Sequence, residues 1–240
     1  MYTRVLSLVY PPVCPFCNRV QSIDSRIEDR ICHSCMDTLP WIIDAYCMRC
    51  GKKLQDQSME YCRDCSRNHY AFTEGRALFV HTEKVAQAIY LLKFHHHKEY
   101  GQILGSTLAK QFCNTMRRWK VTEVIPIPLH YKKYRMRGYN QAELIASALV
   151  NESKGVLSLN NDTVYRVKHT KPQKGMKISQ RNRNLTGAFA IRKDWVPCER
   201  VLLVDDIYTT GNTLHKVASL LKKVGVQEVY YLTVSIGQGL

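Results

Sequence analysis

Eight of the ten cysteines fall in four pairs, Cys14 with Cys17, Cys32 with Cys35, Cys47 with Cys50 and Cys62 with Cys65, each with two residues between the partners. That spacing lets both thiolates of a tight turn face one ion, and two turns complete the tetrahedral four-sulfur set that zinc favours. Four turns make two sites. The intervals between successive pairs, 14, 11 and 11 residues, suit short hairpins of the zinc-ribbon kind. Asn18 and Gly51, directly after Cys17 and Cys50, are residue types that tolerate positive φ in such turns. Pairing consecutive turns closes the shorter loops; the crossed arrangement, first turn with third, is the alternative. With four thiolates and no open position, both sites are expected to be structural. A redox-active CxxC would explain one pair at best and lacks a surrounding βαβ pattern.

A second constellation lies near the C-terminus. Val201 to Val204 form an apolar run that reads as a buried strand, followed by Asp205 and Asp206 and then by Thr209, Thr210, Gly211, Asn212 and Thr213 at the start of a helical pattern. The expected loop is 205–212, with a helix over Thr213–Val224 ended by Gly225 and a next strand over Val229–Ile236. Backbone N–H groups and threonine hydroxyls at a helix start suit a phosphate, and Gly211 permits close approach. The two carboxylates can accept hydrogen bonds from vicinal sugar hydroxyls, so a phosphorylated ribose fits one such loop.

The elements that must hold these residues are also legible. From Ala71 onward short β-rich runs alternate with helical patterns, which predicts a parallel sheet with helices on its faces. Helices are expected around Val85, Ile89 and Leu92, over 103–116 and over 141–150, and a strand over 124–127. We therefore divide the chain at residue 70 into a small metal-ribbon domain, 1–70, and an α/β domain, 71–240. No window approaches the roughly 20 apolar residues of a membrane span, and with no leader-like segment the expected location is the cytoplasm.

The run from Val201 to Thr213 resembles the phosphoribosyl-pyrophosphate (PRPP) signature of type I phosphoribosyltransferases. It departs at Tyr208, where an aliphatic residue is more usual, a change expected to matter little. Val124-Ile-Pro-Ile-Pro-Leu-His130, Arg137-Gly-Tyr-Asn-Gln-Ala-Glu143, Thr170, Gln173, Arg181, Asn184 and Gly187-Ala-Phe189 are similar to the ComF family of late-competence proteins, which includes the GntX proteins. The resemblance extends over nearly the whole chain and implies a type I phosphoribosyltransferase-like sheet behind a double zinc ribbon. It implies that Asp205 and Asp206 hold the ribose hydroxyls of magnesium-PRPP, that Thr209 to Thr213 wrap its 5′-phosphate, that 128–140 is a pyrophosphate loop and that 166–187 closes over the site.

Charge points to an anionic partner. The net charge is +15, and residues 130–193 hold 14 Lys/Arg against 3 Asp/Glu. PRPP accounts for part of this. Lys132, Lys133, Arg135 and Arg137 are interleaved with Tyr131, Tyr134 and Tyr139, a mixture that can pair phosphates and stack unpaired bases of single-stranded DNA. In the alternative, the tyrosines pack in the core and the cations meet pyrophosphate alone. Lys168, Lys171, Lys174, Arg181 and Arg183 complete the set of expected pyrophosphate or DNA contacts. His95, His96 and His97 point in different directions if helical, so we read them as a polar helix end; Cys113 and Cys198 are expected to be buried thiols.

Two functions follow from the resemblance. In the first, the chain is a competence protein of DNA uptake and natural transformation that binds PRPP and single-stranded DNA. It would work with a helicase-like ATPase and other DNA-processing proteins, recruited to the uptake machinery at the membrane. In the second, it is an active phosphoribosyltransferase with an unidentified acceptor.

Overall fold

A computed structural model of the chain describes residues 11–167 and 187–238. Five parallel strands form the main sheet: β1 (Glu74–Val80), β2 (Glu123–Pro126), β3 (Ser158–Leu159), β6 (Arg200–Tyr208) and β7 (Glu228–Ile236), in the order β1-β7-β6-β2-β3. β4 (Val164–Arg166) and β5 (Phe189–Ile191) pair antiparallel beside it. Two one-turn helices lie in the cysteine segment, α1 (His33–Thr38) and α2 (Arg63–Arg67). The rest are α3 (Glu83–Phe94), α4 (Lys98–Trp119), α5 (Tyr131–Arg137), α6 (Gln141–Glu152) and α7 (Asn212–Lys223).

The central strands are apolar on both faces, as strands covered by helices must be. Along β6, Leu202 and Val204 join the core under α3, α4 and α6, while Val201 and Leu203 join the core under α7. β7 alternates in the same way, Tyr230 and Leu232 to one side and Val229 and Tyr231 to the other. α4 and α6 approach closely because Gly105 faces Ile145; a Cβ on Gly105 would sit 2.3 Å from the Ile145 carbonyl oxygen.

The cysteine segment covers the β1 edge. The Ile42 N–H donates to the Leu78 carbonyl and the Val80 N–H to the Pro40 carbonyl, both at 2.9 Å, and Trp41 bridges antiparallel to Phe79. An open sheet edge is thereby closed from within the same chain.

Several expectations are corrected. β6 continues through both aspartates to Tyr208, so the loop before α7 is only Thr209 to Gly211. Part of the expected pyrophosphate loop is helix α5, started by His130, whose Nδ1 accepts from the Lys132 N–H, and stopped by Gly138 at φ 77°. The three histidines do lie at a helix end, as expected: His95 caps the end of α3, His97 the start of α4, and His96 at φ 59° makes the turn between them. Cys113 is exposed and Cys198 half-buried. The expected contacts Lys168, Lys171, Lys174, Arg181 and Arg183, with Thr170, Gln173 and Asn184, lie outside the described residues.

We expect Gly105→Ala to lower the unfolding free energy by about 1–3 kcal/mol through overpacking, although alanine is the better helix former by about 1 kcal/mol. A urea midpoint at or above that of the wild type would show that α6 can retreat.

Candidate functional site

The sulfurs of Cys14, Cys17, Cys32 and Cys35 lie within 4.8 Å of one another, as do those of Cys47, Cys50, Cys62 and Cys65. Consecutive turns therefore pair, and the crossed arrangement is set aside. Each site has one hairpin turn and one helix start. In the hairpins the Asn18 N–H donates to the Cys14 carbonyl and the Gly51 N–H to the Cys47 carbonyl, with Asn18 at φ 57° and Gly51 at φ 67°. In the helix starts, Cys32 and Cys62 are the N-caps of α1 and α2, with Cys35 and Cys65 in their first turns. Four convergent sulfurs in each group fit tetrahedral zinc.

At the other constellation β6 delivers the two aspartates to the C-terminal end of the sheet, where open α/β folds bind their ligands. Asp206 is buried and its carboxylate is 2.5 Å from the Lys93 ammonium, which comes from the last turn of α3. The Asp205 carboxylate accepts from the Asp206 N–H at 2.9 Å. Burial, reinforced by the Asp206 charge, pushes the Asp205 carboxyl up to about 8.

Cations crowd around this pair. Lys133 and Arg137, one helical turn apart on α5, feel the charge of Asp206, and Arg166 on β4 feels that of Asp205. Burial lowers Lys133 below the ordinary lysine value, and repulsion from Arg166, Arg137 and Lys93 lowers it further. Arg137 donates to Gln141 at 2.9 Å and lies 4.7 Å from the centre of the Phe94 ring, while its buried Nε has no partner among the described residues. Like charges held this close are relieved by a polyanion.

The adjacent loop offers donors without acceptors. Thr210 Oγ1 and Asn212 Nδ2 are buried and unpartnered among the described residues, and the N-cap of α7, Gly211, provides no side-chain cap. Gly211 sits at φ 71°, and a Cβ there would be 2.3 Å from the Tyr208 hydroxyl oxygen. Tyr208 thus fills the floor of the loop, a larger role than the sequence comparison implied. Thr209 is exposed and Thr213 half-buried at the helix start.

The basic helix α5 divides its residues. Lys133 and Arg137 turn toward the carboxylates; Lys132 and Arg135 are exposed. The interleaved tyrosines divide too: Tyr139 is buried and its hydroxyl donates to the Leu92 carbonyl, while Tyr131 and Tyr134 are exposed. These two line a cavity of about 670 Å³ together with Tyr165, Arg135, Arg166 and Arg192. Sequence reasoning missed Lys93 and Tyr165 as members of the site.

The double zinc ribbon domain model matches residues 5–66, and the phosphoribosyl transferase domain model matches residues 145–235. Competence protein F of Haemophilus influenzae is 34% identical over 189 residues, covering 77% of this chain and 81% of that protein. The chain belongs to the ComF family. Two further relatives share less of its sequence. Competence protein ComFC of Bacillus subtilis is 26% identical, covering 82% of this chain and 80% of its own length. The DNA utilization protein YhgH of Escherichia coli K12 is 22% identical, covering 93% and 90%. Membership agrees with the parallel sheet and the two four-cysteine groups, and among the described residues no helix is long and apolar enough to cross a membrane.

Two outcomes are expected. Purified protein should contain two zinc ions per chain, and a strong chelator should unfold the cysteine segment and uncover the β1 edge, read as a rise in light scattering; well under two zinc ions would sink the assignment. The second concerns pH. With its folded pKa raised from 3.8 to about 8, Asp205 binds a proton in the folded state that the unfolded chain releases, so its presence costs more stability as pH rises from about 4 to about 8. Asp205→Asn should therefore gain in Tm over the wild type across that window and level off above it. A constant difference would mean that Asp205 is charged throughout.

Proposed function

We propose that the C-terminal end of this sheet binds magnesium-PRPP and that the chain serves DNA uptake in natural transformation. The observation that carries this reading is the crowding of Lys93, Lys133, Arg137 and Arg166 around the Asp205–Asp206 pair, next to a helix start with unpartnered donors. Cations and carboxylates together suit a ligand that is part polyphosphate and part sugar. Asp205 and Asp206 take the ribose hydroxyls, and Thr209, Thr210, Gly211, Asn212 and Thr213 take the 5′-phosphate. Lys133, Arg137 and Arg166 take the pyrophosphate, whose oxygens bring the magnesium. The names of the relatives, competence protein F and ComFC, support the biological setting.

Single-stranded DNA is the second ligand of this reading. Tyr131, Tyr134 and Tyr165 present exposed rings beside Arg135, the combination that stacks bases and pairs phosphates, while Arg192 in the same cavity is paired with Asp162 and Asp194. Lys132 extends the track, and the basic residues Lys168, Lys171, Lys174, Arg181 and Arg183, outside the described residues, are proposed as further contacts on grounds of charge alone. The zinc segment, residues 1–70, and the α/β segment, residues 71–240, then act as two domains of one cytoplasmic protein. A helicase-like ATPase and other DNA-processing proteins would be its partners at the uptake machinery.

Transfer chemistry is favoured by one feature, the cavity that shares Arg166 with the carboxylate pair and leaves room for an acceptor. The acceptor would attack C1′ as the bond to pyrophosphate breaks and its electron pair leaves with pyrophosphate. The chain would supply orientation, charge stabilisation and exclusion of water rather than a covalent nucleophile. Catalytic release of pyrophosphate with an acceptor present distinguishes this from stoichiometric binding.

Calorimetric titration with magnesium-PRPP should show one site, and Asp206→Asn should weaken it by at least about 1.5–3 kcal/mol, the usual worth of a hydrogen bond to a charged group. No heat from the wild type would leave the motif as scaffold. Binding of a short single-stranded oligonucleotide should fall steeply with salt, and Tyr134→Ala should cost about 1–3 kcal/mol. A flat salt dependence would remove the phosphate-tracking surface.

A further inference from the structure

The second ribbon and the loop before α7 are joined by a continuous set of contacts that neither metal binding nor phosphate binding requires. The wholly buried Tyr231 of β7 donates its hydroxyl to the carbonyl of Cys50 at 2.7 Å. Its ring stacks on Tyr208 at 5.4 Å, and Phe72 packs edge-on against both. The Tyr208 hydroxyl in turn occupies the space where a Cβ on Gly211 would go. No side chain's width is spare along this path: a Cβ on Gly51 would lie 2.6 Å from the Gly75 carbonyl oxygen, and one on Gly75 would lie 2.0 Å from the Tyr231 ring.

A second connection runs through the segment that leaves the ribbon. The Ala71 N–H donates to Nδ1 of His215, in the first turn of α7, at 2.9 Å. Tyr70 directs its hydroxyl at the Thr210 carbonyl, 3.4 Å away, and its ring meets His215 edge-on. The start of α7 has no side-chain cap of its own, so these contacts fix where its first turn begins.

An aromatic core alone would pack equally well with the Tyr231 hydroxyl on any carbonyl. Here the acceptor belongs to a metal ligand, whose backbone is held by its sulfur. We propose that Tyr231 and His215 are positioning residues that set the shape of the Thr209–Thr213 loop from the second ribbon, so that the loop is ordered for phosphate only while that ribbon is folded around its ion. The consequence for ligand binding rests on the PRPP reading; the mechanical link does not. The first ribbon packs on the opposite face, where Phe16 and Trp41 meet Phe79, and has no part in it. Because coupling between two bound states is reciprocal, a ligand that orders the loop also retains the second ion.

The test is hydrogen exchange of the backbone amides of residues 209–215, measured without PRPP on the full chain. Tyr231→Phe, which deletes only the hydroxyl, should speed that exchange several-fold while zinc content stays at two per chain. His215→Ala should do the same, and His215→Asn, whose Oδ1 can stand in for Nδ1 as acceptor, should restore slow exchange. Cys62→Ser should release the loop and Cys14→Ser should not. Unchanged exchange in Tyr231→Phe and His215→Ala would overturn the proposal, as would equal effects of the two cysteine variants, which would signal a general loss of stability. A paired measurement asks whether magnesium-PRPP slows chelator extraction of one of the two ions. If the wild type binds no PRPP but the exchange pattern holds, the ligand reading fails and the positioning role stands.

Discussion

The ion pair between Lys93 and Asp206 is the interaction on which the site depends. A strand that carries two adjacent carboxylates into the interior pays a desolvation cost that grows steeply unless a counter-charge is in place. Lys93 offsets one carboxylate at 2.5 Å; the other, Asp205, is pushed toward its neutral form. Placing that ammonium requires α3 to end where β6 ends, which in turn requires the packing of α3 and α4 on the sheet. Lys133 and Arg137 also lie in the field of Asp206, and Arg166 in that of Asp205, so cations from α5 and β4 gather on the pair that β6 delivers.

Metal and sheet are interdependent in a related way. Cys14, Phe16, Cys32 and Cys35 belong to the same buried cluster as the helices α3 and α4, while Cys47, Cys50, Cys62 and Cys65 belong to the cluster of α7. The two ribbons straddle β1, one against each face, and the stretch between them pairs with its edge. A segment of this length has too little apolar area for an independent core. Zinc supplies folding free energy locally, and the sheet supplies the apolar partner surface that the ribbons lack.

How much of this was legible follows from how local each signal is. The cysteine pairs and the run from Val201 to Thr213 could be read because their residues are adjacent in sequence and their chemistry needs that spacing. Lys93 could not, since a lysine in the last turn of a helix is ordinary and its partner lies far along the chain. The extension of β6 to Tyr208 was missed because two acids normally end a strand; what carries the strand on is pairing of Asp205 to Thr233, Ile207 to Ser235 and Tyr208 to Ile236 on β7. Helix α5 has no apolar stripe, so only its His130 start and Gly138 stop could have revealed it. Cys113 was accessible to reasoning: in α4 it lies beside Phe112 and three residues before Met116, both buried, and one position off the stripe places it in solvent.

The ribbons also carry an internal correspondence. Val13 bridges Val20 across the first hairpin, and Tyr46 bridges Lys53 across the second. Cys14 and Cys17 correspond to Cys47 and Cys50 in the same offset, and each unit ends in a one-turn helix opened by a cysteine. The connector between the copies pairs antiparallel with the edge of β1, and the copies on either side of it join different buried clusters, the first that of α3 and α4 and the second that of α7. Only one copy then meets the α7 face, and that copy is the one within reach of the loop beside Asp205 and Asp206.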